Sequence, residues 1–442
     1  MIYKLLAAFA VFLFTFSITM AQDFDRAKMD ELFSRVDKGE QGMGSFSLFK
    51  DGKEVYSTAY GFADLKSRKS VDTNTVYRIG SISKTFTACI IMQLVEEKKL
   101  KLTTPLSRFF PKMKNSSRIT VEHMLRHRSG IYNFTETDEY LIYMEKPLGR
   151  DELAQKIIDF GSIFEPDEDF EYSNSNYVLL SIIAEKVTKK TYAELLQERI
   201  VKPLGLKHTF FGGKINVAKN EAKSFKKIKT WSAETETDMS IPLGAGSVVS
   251  SAGDVNTFLS AIFQDKVVSA ESRKQMMKIV DGFGIGLFKI PFNEKSAFGH
   301  NGGIDGFQSM AYHFPKENVS ITYLSNGVVY PVNDLMIDAL SIYFGKSKEL
   351  PEFLPVMKLS ADDLDQYTGV YKSPVMPITL TISVDGKQLM GQGSGQEAFP
   401  LDAYDINKFK YDPARLKVTF FPKEGKAIMF QGGREIELKV DN

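Results

Sequence analysis

RIGSISKTF, residues 78–86, decides how the rest of this 442-residue chain is read. The stretch runs into TACIIMQLVEEKKL, and Ile82, Phe86, Ile90 and Leu94 recur at helical spacing. Ser81 therefore opens a helix over Ile82–Leu94, with Lys84 three positions on, where residues share a face. A serine hydroxyl is a poor nucleophile at neutral pH without a base or a lowered pKa. A lysine amine one turn away can be that base, and the positive helix end favours both an alkoxide and a neutral amine. The same pattern also describes a helix cap beside a surface lysine. S-x-x-K occurs three times, at Ser47-Lys50, Ser81-Lys84 and Ser224-Lys227. The first falls in a strand pattern, where positions three apart point to opposite faces, and the last in a charged loop. Only the middle copy opens a helix.

Two further stretches single out that copy. FEYSNSNY, residues 170–177, holds the only Y-x-N, at Tyr172-Ser173-Asn174. FGHNGGIDG, residues 298–306, holds the only H-x-G, at His300-Asn301-Gly302, followed by Gly303. The order S-x-x-K, Y-x-N, H-x-G, separated by 91 and 128 residues, resembles the serine β-lactamase and penicillin-binding superfamily, within it the class C β-lactamase-like serine hydrolases. NTVYRIGSISKTFTACIIMQLVEEKKLKL from Asn74, ITVEHMLRHRSGI from Ile119 and the long run from Glu171 to Thr209 extend the likeness over about residues 27–345.

The resemblance implies a two-lobed β-lactamase/transpeptidase-like fold, an antiparallel sheet flanked by helices plus a helical lobe. It implies catalysis through an acyl-enzyme. Ser81 would be the acylated nucleophile, Lys84 would help take its proton, and Tyr172 would relay protons as base in one step and acid in the other. Which of Lys84 and Tyr172 is the acylation base stays open. Asn174 would hold Lys84 and touch the substrate amide. The N–H groups of Ser81 and Gly303 would form the oxyanion hole, each donor typically worth about 3 kcal/mol. His300 departs from the lysine of class C β-lactamases and offers less positive charge at pH 7. That departure favours a hydrolase of D-amino-acid peptides or of small esters and amides. The alternatives are a true β-lactamase and a non-catalytic member that uses the fold for binding or assembly. His127 matches a family feature and reads as structural.

Outward from the motifs, SFSLFKDGKEVYSTAYG, residues 45–61, reads as a hairpin turning at Asp51-Gly52. Helical patterns cover Val121–Leu125, Tyr177–Ile200, Asp254–Phe263 and Leu335–Phe344, with a glycine-rich turn at Gly244-Ala245-Gly246. Gln308–Phe314 and Val319–Ser325 read as paired strands. Strands at both ends with helices between make an α+β unit whose distant strands meet in one sheet. After the proline-marked segment Leu350–Pro355, short strand-like runs (Thr379–Val384, Lys417–Phe421, Ala427–Phe430, Glu435–Val440) with turns at Asp385-Gly386 and Gly432-Gly433 read as a small all-β domain. The division is 1–21 signal peptide, 22–349 hydrolase domain, 350–358 linker and 359–442 C-terminal β-rich domain. That last domain reads as a packing partner, with a cleft wall as the alternative.

Lys4, the apolar run Leu5–Ile18 and the small-residue site at Thr19-Met20-Ala21 describe a secretory signal, too short to span a bilayer. The protein is thus expected in the periplasm or outside the cell, with no stable membrane insertion after cleavage. Cys89, the only cysteine, can form no internal disulfide and reads as a core residue. Lys+Arg at 56 balance Asp+Glu at 55, which argues against a nucleic-acid partner. The five histidines lack zinc-site spacing, and no metal or cofactor is expected. The partner is a small-molecule or peptide substrate; oligomeric state is not readable. Tyr132 and Phe134 either line the cleft or pack in the core, Trp231 is expected on a lid, and Gly282–Gly286 on a strand approaching the site.

Overall fold

The computed structural model describes residues 24–441 apart from 229, 354–355, 374–375 and 432–433. The signal-peptide reading of residues 1–21 and the turn at Gly432-Gly433 lie outside the described residues. Among the described residues no helix is long and apolar enough to cross a membrane.

The two ends of the first unit meet in one antiparallel sheet. Strands β1 (Gly42–Lys50) and β2 (Lys53–Tyr60) turn at Asp51-Gly52, both at positive φ. Late in the chain come β3 (Phe288–Phe292), β4 (Lys295–Ile304), β5 (Phe307–Phe314) and β6 (Val319–Val328). The sheet order is β3-β4-β5-β6-β1-β2, and β6 pairs with β1 from Gly42↔Val328 to Lys50↔Val319. The alternation in β1 does not separate core from solvent, because eight of its nine residues are buried. It separates two covered faces. Phe46 and Leu48 pack with Phe33 under helices α1 (Arg26–Lys38) and, further along the chain, Val332–Tyr343. On the other face Ser47 accepts a hydrogen bond from Asn256 Nδ2 and donates to Glu54.

That second face carries the helical lobe. Its centre is α2 (Ser83–Glu96), buried nearly all round, as a helix enclosed by its neighbours must be. Cys89 is buried there. Around it pack α3 (Asn174–Thr188) and α4 (Ala252–Phe263), and the Phe86 and Phe258 rings stack at 3.7 Å. The single helix expected over Tyr177–Ile200 is in fact broken. Lys189 takes the left-handed conformation that ends α3, and Thr191 caps a new helix from Tyr192. The two adjacent lysines and the Thr191–Glu194 capping box carried that signal. The glycine-rich turn at 244–246 is likewise a short helix, Leu243–Gly246.

Beyond α5 (Val332–Tyr343) the chain stays docked. Arg35 Nη1 donates to Pro351 O, and the Phe353 ring stands 5.3 Å from Tyr330. The C-terminal unit is a closed antiparallel barrel of eight strands, β7 (Gly369–Ser373) to β14 (Arg434–Val440) in chain order, sealed by Tyr371↔Val440. It has its own core, including Phe409, Val418, Phe420 and Leu438. Period-2 alternation is plain in Leu416–Phe421, but closure is a property of the whole set of strands, which no single run displays. The result is an α+β unit with a separate all-β domain.

Candidate active site

Ser81 sits in a single 3-10 turn, Gly80–Ile82, that leads directly into α2, so Lys84 falls in the first helical turn. Amides of that turn have no intrahelical acceptor, which frees the Ser81 N–H. Gly80 holds φ +52, and a Cβ there would come within 2.7 Å of Gly303 N. A Cβ on Gly302 would meet Ile79 O at 2.0 Å. The turn carrying Ser81 is thus pressed on the edge of β4, and only glycines allow the approach. Ser309 Oγ donates to Ile79 O and fixes the contact.

The register of β4 explains why Gly303 matters. Its pairing with β3 ends at Phe288↔Gly299, so its outer edge is open from His300 onward. Ile304 and Phe307 close the two-residue turn Asp305-Gly306 as a hydrogen-bonded pair. The next pair, Gly303↔Gln308, is then a non-hydrogen-bonded pair, whose N–H groups point away from the ladder. A Cβ on Gly303 would meet nothing, so its side is open space in the cleft.

Lys84 is fully buried with three oxygens around Nζ: Ser81 Oγ at 2.9 Å, Asn174 Oδ1 at 2.7 Å and Ala245 O at 2.9 Å. Burial drives its pKa well below the ordinary lysine value. A neutral amine has two N–H bonds and one lone pair. Ala245 O and Asn174 Oδ1 can only accept, so the lone pair faces the Ser81 hydroxyl. Asn174 is itself oriented. Its Nδ2 donates to Thr135 Oγ1, Thr135 donates to Asn133 Oδ1, and Asn133 Nδ2 donates to Glu136 Oε1. The Asn174 N–H also bonds Asn133 Oδ1. This relay, and the Ala245 carbonyl offered by the Leu243–Gly246 helix, escaped the reading of the sequence. YNFTE, residues 132–136, carries only the polar-cluster signal of a turn.

Tyr172 is fixed from several sides. Its ring stacks 4.4 Å from His127, whose Nδ1 accepts from Ser173 N–H, and Lys84 Nζ lies 4.9 Å from its centroid. Burial raises its pKa well above the ordinary phenol, against a hydrogen bond shared with Ser81 that lowers it. His300 stands 6.1 Å from Tyr172, ring to ring. Its Nδ1 donates to Asn301 O, leaving Nε2 as a buried acceptor without a partner among the described residues. Burial first, then the nearby Lys84, push its pKa down to about 3, so it is neutral at pH 7.

These groups open on one cleft of about 1180 Å³, lined by Ser81, Tyr172, Asn174, His300, Gly302 and Gly303. Phe134, Tyr140, Phe170 and Phe288 give it an apolar wall. Gly282–Gly286 is a loop rather than a strand, and it delivers the buried Phe283 ring edge-on to His127 and His300. Tyr132 is not on the wall; it faces Phe160. Trp231 is not on a lid either, since its indole packs over Gly327 beside Lys227. The far wall is locked by Arg78. Its Nη1 donates to Asp305 Oδ2 at 2.9 Å and to Thr237 O at 2.7 Å, with both charged side chains almost wholly buried. No described residue of the barrel lines the cleft.

Residues 29–340 match the family model described as Beta-lactamase. The chain is 25% identical to penicillin-binding protein 4* of Bacillus subtilis (strain 168), over 93% of this chain and 98% of that protein. It is 27% identical to the teichoic acid D-alanine hydrolase of Staphylococcus aureus (strain NCTC 8325 / PS 47), over 65% of this chain and 72% of that one. Among solved structures, the octameric penicillin-binding protein homologue from Pyrococcus abyssi superposes with a TM-score of 0.68 at 25% identity. The match covers 94% of this chain and 100% of that chain.

Proposed function

The chain belongs to the beta-lactamase family, and from that premise we propose that it is an exported serine hydrolase that opens amide or ester bonds in substrates containing D-amino acids. The observation that carries this reading is the fully buried Lys84, its pKa lowered by burial, with Nζ 2.9 Å from Ser81 Oγ. The D-amino-acid class rests on the likeness to a D-alanine hydrolase, and export on the apolar N-terminus.

In the first half-reaction Lys84 takes the Ser81 proton as Oγ adds to the substrate carbonyl. The developing oxyanion sits between the N–H groups of Ser81 and Gly303. Tyr172, kept protonated by its raised pKa, gives its proton to the departing amine or alkoxide. In the second half the same groups run in reverse, with water as nucleophile. This assignment makes Lys84 the acylation base and Tyr172 the acid. His300 offers an acceptor where a β-lactam carboxylate would need a cation, which argues against efficient β-lactam turnover.

Intact-mass spectrometry with benzylpenicillin and with p-nitrophenyl acetate, on wild type and Ser81→Ala, tests the reading. The expected result is an adduct or ester turnover on wild type, with at least a thousandfold loss in the variant. Fast release of hydrolysed penicillin would make the protein a β-lactamase instead. Equal behaviour of the two proteins would remove Ser81 from the chemistry.

A further inference from the structure

Charge on the cleft walls bears on which end of a substrate the site accepts. Among the described residues lining the cleft there is no lysine and no arginine. Lys84 lies beneath its floor, wholly buried and engaged by Ser81, Asn174 and Ala245. His300 occupies the cation position as a neutral acceptor.

Two carboxylates do line the cleft, Asp305 and Glu234. Asp305 is committed. One oxygen takes Arg78, and the other takes the N–H and hydroxyl of Thr237. Glu234 is not. It follows the short strand Trp231–Ala233, and its N–H donates to Ser224 O, which anchors the backbone. Its side chain packs on the β4–β5 turn so closely that a Cβ on Gly306 would stand 2.9 Å from its Cγ. No described residue forms an ion pair or a side-chain hydrogen bond with its carboxylate. The side chain is held in place, partly buried, with its charge unspent.

Its position selects the part of the substrate it faces. Tyr172 and His300 stand together at one end of the cleft, where the leaving group takes its proton. From Gly303 the strand runs on to the Asp305-Gly306 turn, on which Glu234 packs, so a leaving group protonated by Tyr172 leaves the acyl group on the Glu234 side. A carboxylate in the leaving group would meet no cation at the His300 end, and one on the acyl group would meet a like charge at Glu234. An ammonium would meet an opposite charge in a partly desolvated site, where Coulomb attraction exceeds its value in water.

We propose that Glu234 is a specificity-determining residue that receives the free α-ammonium of a D-aminoacyl ester or amide, so that the enzyme acts on unblocked D-aminoacyl groups rather than on peptides ending in a free carboxylate. The proposal rests on the serine-hydrolase reading and deepens it.

The test compares D-alanine methyl ester with N-acetyl-D-alanine methyl ester on wild type, Glu234→Gln and Ser81→Ala, with p-nitrophenyl acetate as a neutral activated ester. Wild type should prefer the free amine by tenfold or more in kcat/KM, and Glu234→Gln should cut that preference about tenfold, chiefly through KM. A wild type that prefers the blocked ester, or a preference that survives in folded Glu234→Gln, overturns the proposal. So does Ser81-dependent turnover of p-nitrophenyl acetate without turnover of either alanine ester, an outcome that leaves the serine-hydrolase reading standing. If no ester is cleaved in a Ser81-dependent way, that reading falls and takes the proposal with it.

Discussion

In the catalytic sheet β6 runs beside β1, pairing Val328 with Gly42 across most of the unit's length. In the C-terminal barrel every strand pairs with the next in sequence, and only the closing pairing of β7 with β14, Tyr371↔Val440 and Lys372↔Lys439, is distant. The first arrangement must bring far segments together before any of its contacts count, whereas the second can zip from hairpin to hairpin. The chemistry sits in the first. Ser81 and Lys84, Thr135, Tyr172 and Asn174, Ala245, and His300 to Gly303 arrive from five separate segments, each fixed by hydrogen bonds or close packing to another. A site held that way depends on long-range order, and its vulnerable points are the long-range locks. The barrel places none of its described residues on the cleft.

The comparison also sorts what the sequence could reveal. Ser81, Lys84, Tyr172 and His300 are legible because each sits in a short motif whose spacing is local. Ala245 acts through a backbone carbonyl, which any residue type supplies. Thr135 and Asn133 act only because the fold brings their loop against Asn174. Arg78 stands inside the opening stretch itself, yet its partners are 159 and 227 positions away, at Thr237 and Asp305. In the barrel the individual strands are legible by alternation, while closure depends on all of them at once.

The largest expected effect strikes the longest lock. Arg78→Met leaves the Asp305 carboxylate buried and short of its cation. Breaking a buried pair from one side costs about 3–5 kcal/mol. Urea unfolding should register that loss in the catalytic unit, with ester turnover falling as the wall bearing Gly303 loosens. A loss below 1 kcal/mol would mean that the Arg78 network is a bystander and that packing alone holds the cleft.

A smaller effect belongs to His300 and depends on pH. Folding lowers its pKa to about 3, while in the unfolded chain it titrates near its ordinary 6.5. Between those values the unfolded chain binds a proton that the folded protein refuses, so stability falls as pH drops from 6.5 toward 3. At pH 5 the contribution is about 2 kcal/mol. His300→Gln removes this one increment. The variant should therefore lose less stability than wild type between pH 7 and pH 5, by about that amount. Parallel denaturant series at the two pH values measure it. Identical losses would show that the ring is protonated or solvated in the folded state, and the case for a neutral acceptor facing the cleft would go with it.

The smallest effect on turnover is expected from the largest deletion. Removing residues 359–442 takes away the whole barrel, its core and its contacts with the catalytic unit. Those contacts include the Gln41 Nε2 hydrogen bond to Asp412 Oδ2 and the Arg415–Asp334 pair. The catalytic unit keeps both of its own cores and every group around Ser81. Thermal stability should fall, because the surface around Gln41 and Asp334 loses its cover. Yet kcat/KM for a small ester should stay within about threefold of wild type, under 1 kcal/mol of transition-state stabilisation. A bulky ester sharpens the comparison, since a barrel that limits access would make the truncated enzyme faster on it alone. Unchanged rates on both esters would leave the barrel as a packing partner. A tenfold loss in a protein that still folds would show that it shapes the cleft from a distance, and the contrast between a long-range site and a self-contained barrel would fail.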